Sequence, residues 1–170
     1  MTAAVPNHVD LAVPGGPVGS TWLRLFRPSL PGGPLPIVLY VHDGARSAAD
    51  ARIRRMATRL MTGLPLAVVA VDYSLSPGAR YPVALQEAHA ALEWAAAGSA
   101  GHGLDGRRIA VVADPGAAGL ATRLVVTALD RGEGSLVAYV PVGPRMRASL
   151  RTALGLPSPA RRRSAQRRSA

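Results

Sequence analysis

The sequence predicts an α/β protein: a mostly parallel sheet with helices on both faces. Three observations predict it. Four short apolar runs, IVLYV, LAVVAVDY, RIAVVA and LVAYV, are each bounded by turn residues. They suit strands buried on both faces. The stretches between them follow the helical period instead of the strand period. Buried strands that alternate with helices demand right-handed crossovers within one sheet.

Residues 1–19 are rich in Pro, Gly and Val and read as an irregular or weakly stranded lead-in. Thr21 to Phe26 alternates as a strand does and closes at Arg27-Pro28, after which PSLPGGPLP punctuates the chain. The first buried run, Ile37 to Val41, lies between Pro36 and His42-Asp43-Gly44. Ile53, Met56, Ala57, Leu60 and Met61 then form one helical stripe, with Arg52, Arg54, Arg55 and Arg59 at the remaining positions. Gly63 and Pro65 stop that helix. Leu66 to Tyr73 is the next strand, followed by the loop SLSPGARYP. The helix VALQEAHAALEWAAAG comes next, with Leu85, Ala88, Leu92 and Ala95 inward. After a Gly-rich turn, Arg108 to Ala113 is a strand, Ala117 to Leu129 a helix, and Leu136 to Val140 a last core strand.

Composition narrows the function classes. A chain of 170 residues is one domain of ordinary size, and 48% hydrophobic content argues against intrinsic disorder. With no cysteine, the chain can form no disulfide, no thiolate zinc site and no cysteine nucleophile. It contains no apolar run long enough to span a membrane, and MTAAVPNHVD has neither the basic nor the apolar region of a signal peptide. The expectation is a soluble, cytoplasmic protein. The net charge of +10 is unevenly placed: residues 1–144 hold 12 arginines and all 10 acids, whereas residues 145–170 hold 8 arginines and no acid. This divides the chain into a domain, 1–144, and an Arg-rich tail, 145–170. The tail ends in the disorder-prone PSPARRRSAQRRSA, with one short helix near Met146–Leu154. It lacks interleaved aromatics, so nucleic acid is a disfavoured partner; a solvated end or a reading-frame artefact is the simpler account.

Four segments, in order, resemble one family. PIVLYVHDGA is similar to the strand and His-Gly-Gly-Gly loop of α/β-hydrolases in the hormone-sensitive-lipase-like esterase branch. VDYSLSPGARYPVALQEAHAALEW resembles that branch's Val-Asp-Tyr-Arg-Leu-Ala-Pro-Glu stretch and its continuation, and LDGRRIAVVADPGAAGLA lies where the family carries Gly-Asp-Ser-Ala-Gly-Gly. LVAYVPV resembles the strand that follows. The resemblance covers about residues 20–142 and implies the N-terminal part of the α/β-hydrolase fold, with a parent activity of carboxylic-ester hydrolysis.

That chemistry needs a serine raised on a sharp strand-to-helix elbow, with backbone N–H groups aimed at the developing oxyanion. The matching window here is Ala113-Asp114-Pro115-Gly116-Ala117, with Pro115 in the nucleophile's place. No Ser, Thr or Cys occurs between Ser99 and Thr122. In this fold the acid and the His follow the nucleophile, yet the last His is His102; the only acids after the elbow helix's start are Asp130 and Glu133. Asp114 is a weak substitute nucleophile of the dehalogenase type, although its ester intermediate would still need a base. The oxyanion-hole-like residues are His42, Asp43, Gly44, Ala45 and Gly116. Asp43 stands where the family has glycine. It either faces the site, where it would repel an oxyanion, or points to solvent.

His8, His42, His89 and His102 are scattered, with no pair at metal-ligand spacing on one helix, and Ser99 reads as turn chemistry. No cofactor or metal is expected. The function expected is that of a truncated, catalytically inactive esterase homologue, a pseudoenzyme. The alternative is a binding or interaction module that uses the remnant pocket for a small ester-like ligand or self-associates through an exposed sheet edge.

Overall fold

One six-stranded sheet organises the molecule, in the order β1-β2-β4-β3-β5-β6. The computed structural model describes residues 8–28, 33–43, 46–73 and 82–158, apart from the side chains of 46–49 and 98. The strands are β1 (His8–Pro14), β2 (Ser20–Phe26), β3 (Leu35–Val41), β4 (Ala67–Asp72), β5 (Leu104–Ala113) and β6 (Leu136–Pro141). β1 with β2 and β2 with β4 are antiparallel; β4 with β3, β3 with β5 and β5 with β6 are parallel. Among the described residues, four α-helices flank the sheet: α1 (Arg46–Met61), α2 (Val83–Glu93), α3 (Ala118–Asp130) and α4 (Met146–Ala153).

The period of two along each strand divides the core into two layers. Ile37, Leu39 and Val41 of β3, Val69 and Val71 of β4, and Ile109 and Val111 of β5 pack with Ala88 and Leu92 of α2 and Ala121 and Leu124 of α3. The alternate residues, Val38, Tyr40, Val68, Ala70, Ala110 and Val112, face Ile53, Ala57 and Leu60 of α1 and Leu150 of α4. Both faces of the inner strands are covered, which explains their continuous apolar sequence. No helix among the described residues is long and apolar enough to cross a membrane.

Three features go beyond the sequence reading. The lead-in contains β1, a full antiparallel partner of β2 from His8↔Phe26 to Pro14↔Ser20. Its turn depends on Gly15, Gly16 and Gly19, all at positive φ, and a side chain on Gly15 would also collide with Ala90. β5 starts at Leu104, four residues earlier than Arg108, with a register shift opposite Pro36/Ile37. Within 145–170, α4 packs on the sheet, and Met146, Leu150, Leu154 and Leu156 are buried. The packed part of the chain therefore reaches Leu156. The loop residues 74–81 and the tail from 159 on lie outside the described residues.

Candidate functional site

Parallel pairing of β3 with β5 sets Val41 beside Ala113, so His42-Asp43 and Asp114-Pro115 leave neighbouring strands at their carboxyl ends. Ligand sites of open α/β sheets collect at this edge. The Asp114 N–H donates to the Val41 carbonyl at 3.0 Å and ties the two exits together. Pro115–Ala117 then forms one 3-10 turn leading into α3. Proline is preset for a first helical position, but its ring holds φ negative. A nucleophile elbow is a strained turn. Here the strain is missing: no described residue other than glycine has a positive φ.

Asp43 turns toward the elbow. Its Oδ2 accepts the Gly116 N–H at 3.2 Å, and its Oδ1 pairs with the Arg52 guanidinium. The same guanidinium donates to the Asp43 carbonyl at 3.1 Å and lies 3.7 Å from Asp114 Oδ2. The fit at Gly116 is close, since a Cβ there would come within 2.3 Å of Asp43 Oδ2. The Gly116 N–H thus already holds a carboxylate belonging to the chain itself. Gly44 and Ala45 of the same loop lie outside the described residues.

Asp114 is 6% exposed and therefore buried. Its Oδ2 accepts the Tyr40 hydroxyl at 2.8 Å and the Asp43 N–H at 3.4 Å. Burial, followed by that hydrogen bond and the negative charge of Asp114, pushes the Tyr40 phenol well above its ordinary pKa, so it stays a donor. His42 is buried, and its Nε2 lies 2.9 Å from the Val71 carbonyl. A carbonyl only accepts, so the proton is on Nε2, leaving Nδ1 as a buried acceptor with no partner among the described residues. The ring lies against Tyr73, 5.2 Å between centroids, and the buried Tyr73 hydroxyl also lacks a partner there. Burial, with smaller contributions from Tyr40, Glu87 and Asp114, pushes the Tyr73 phenol up as well.

The remaining sequence candidates are elsewhere. The Ser99 hydroxyl is buried and donates to the Ala95 carbonyl at 2.6 Å, beyond the opposite end of β5 from the elbow. His8 packs on Phe26 and His102 on Trp94. Sequence reasoning missed the roles of Arg52, which it placed only among the positions outside the apolar stripe of α1, and of Tyr40, which it read only within a buried strand. It also missed that His89 of α2 lies 3.2 Å from Glu93 and 2.9 Å from Glu133. The spacing of four between His89 and Glu93 was the available signal.

The parallel strands, the turn from β5 into α3 and the facing loop after β3 define a hydrolase scaffold of the α/β class. The chain belongs to the α/β-hydrolase fold family, whose profile matches residues 38–168. It is 35% identical over 134 residues to Esterase LipI of Mycobacterium tuberculosis, an alignment spanning 76% of this chain and 41% of LipI. Among solved structures, the hyperthermophilic esterase of Pyrobaculum calidifontis shares 33% identity at a TM-score of 0.67, over 79% of this chain and 45% of that one. A thermostable esterase from Pseudomonas putida ECU1011 shares 26% identity at a TM-score of 0.71, over 84% of this chain and 46% of its own. The chain spans less than half the length of these relatives.

Proposed function

We propose that this chain is a carboxylic-ester hydrolase homologue whose own elbow does not turn over esters. The observation that carries the reading is Pro115 in the nucleophile's place, with the neighbouring Gly116 N–H already donating to the Asp43 carboxylate. An attacking group has to be exposed and activated by a base. Pro115 has no attacking atom, and Asp114 is buried and held by Tyr40. An oxyanion site must be free to accept developing charge, and Asp43 supplies a negative charge at that point. Loss of a triad serine lowers kcat by about 10⁶-fold.

The test is hydrolysis of p-nitrophenyl acetate by the purified chain. The expected rate equals that of buffer. Saturable turnover would overturn the reading. If that turnover survived Asp114→Asn, the nucleophile would lie elsewhere; if it vanished, Asp114 would be the nucleophile.

A second reading, self-association of two copies through β6, is favoured by one observation. β6 is an outer strand of the sheet with no charged residue, and its Val137 is exposed. Bare edges of this kind invite pairing. Light scattering on a size-exclusion column is expected to show a dimer that Val137→Lys returns to monomer. A monomeric parent chain at high micromolar concentration would refute it.

A further inference from the structure

We infer that His89, Glu93 and Glu133 form a site for a divalent transition metal of the zinc class, which ties the end of α2 to the turn between α3 and β6. The site lies apart from the elbow and does not depend on the reading of ester chemistry there.

Its ligands come from two rigid places. His89 and Glu93 are one helical turn apart on α2, and His89 is only 8% exposed. Glu133 follows the end of α3, where Gly132 takes a positive φ and its N–H donates to the Leu129 carbonyl at 3.0 Å. The Glu133 N–H reaches back to the Ala128 carbonyl, also at 3.0 Å. This is the double bond pattern of a glycine-terminated helix, and it fixes the backbone that carries the Glu133 carboxylate. Ligands already held in place lose little freedom when they bind.

The donor atoms converge. One ring nitrogen of His89 and one oxygen from each glutamate lie within 4.8 Å of one another. Around a zinc ion with bonds of about 2.0–2.2 Å, neighbouring ligand atoms sit roughly 3.3 Å apart. A single ion takes one ring nitrogen: Glu133 already lies 2.9 Å from Nε2, whereas Glu93 lies 3.2 Å from the other nitrogen, Nδ1, and has to swing to the same side of the ring. Glu93 is 60% exposed, so it has room to swing once it leaves its contacts with His89 and Arg131. One imidazole nitrogen and two carboxylate oxygens suit zinc or cobalt better than calcium or magnesium, which prefer oxygen alone.

A cation already sits at this cluster. Arg131 Nη1 is 2.8 Å from Nε2 and 3.1 Å from Nδ1 of His89, and 3.9 Å from Glu93. Near-equal distances to both ring nitrogens place it over the face of the imidazole. The in-plane direction from which a metal approaches is therefore left to the carboxylates. Two carboxylates around one imidazole attract positive charge, and the guanidinium is a stand-in that a metal ion would displace or push aside.

The experiment uses the full chain, stripped with a chelator and titrated with Zn²⁺ by calorimetry, with Co²⁺ absorption as a second readout. One saturable Zn²⁺ site and a raised melting temperature are expected. His89→Ala should lose both the site and the cobalt band, and Glu133→Gln should weaken binding about tenfold or more. Arg131→Ala separates this proposal from a plain ion-pair cluster: removing the competing guanidinium should tighten Zn²⁺ binding. Three results would overturn the site: no saturable uptake by the parent chain, unchanged uptake in His89→Ala, or weaker uptake in Arg131→Ala. Glu133→Gln alters an acceptor on a surface turn, so it tests the site even if His89→Ala does not fold.

Discussion

The inner strands and the loops that leave them follow different rules. From Ile37 to Val41, Ala67 to Val71 and Ile109 to Ala113, no residue is more than 2% exposed, and all are apolar or Tyr40. One or two residues further on come His42, Asp43, Asp114 and Pro115; there the Asp43 N–H donates to Asp114, and the Arg52 guanidinium lies against both carboxylates. The core requires only apolar side chains of suitable size at alternate positions, a condition many sequences meet. The chemistry of an elbow requires one hydroxyl at one position, and in the proposed reading the Pro115 ring takes that position. Packing and catalysis therefore separate within a few residues of the same strands.

The largest expected effect tests the core. Leu39→Ala removes a side chain with 0% exposure from the middle of the central strand and should cost about 2–5 kcal/mol in chemical denaturation. A loss well under 1 kcal/mol would mean that the layers are loosely packed, and the contrast would weaken. A smaller effect is expected where the two regions meet. Tyr40→Phe keeps the ring in the core but removes the hydroxyl that Asp114 accepts, leaving a buried carboxylate short of a donor. The expected cost is about 1–3 kcal/mol. A neutral result would show that Asp114 is satisfied without Tyr40, and that the polar cluster has little influence on the stability of the sheet.

Much of this division was legible in the sequence. Runs such as IVLYV can be read without an alignment, because strands covered on both faces have no polar side to confuse the pattern. The turn at Asp114-Pro115-Gly116 was legible as the segment between a strand and a helix, and its reading as an elbow rests on the family resemblance. β1 was harder: HVDLAVP is half exposed and at the sheet's margin, so its hydrophobic pattern is weak, and the glycines after it do much to define it. The direction of Asp43 was not legible, because it depends on Arg52 nine residues later and Gly116 seventy-three residues later. α4 was partly hidden by its arginines, which made a core-packed helix look like the start of a solvated tail.

Those arginines show where part of the positive charge of the molecule is held. Arg147 donates to the Thr62 carbonyl, and Arg151 lies 3.5 Å from that of Gly63, just past the end of α1. Carbonyls at a helix terminus carry partial negative charge and favour cations. Two of the eight guanidiniums in 145–170 are thus engaged as intramolecular clasps between the last helix and the first. Bonds to neutral carbonyls leave the formal charge of +10 as it is, but they fix two of its positive charges against the fold, where they are less able to follow an external polyanion.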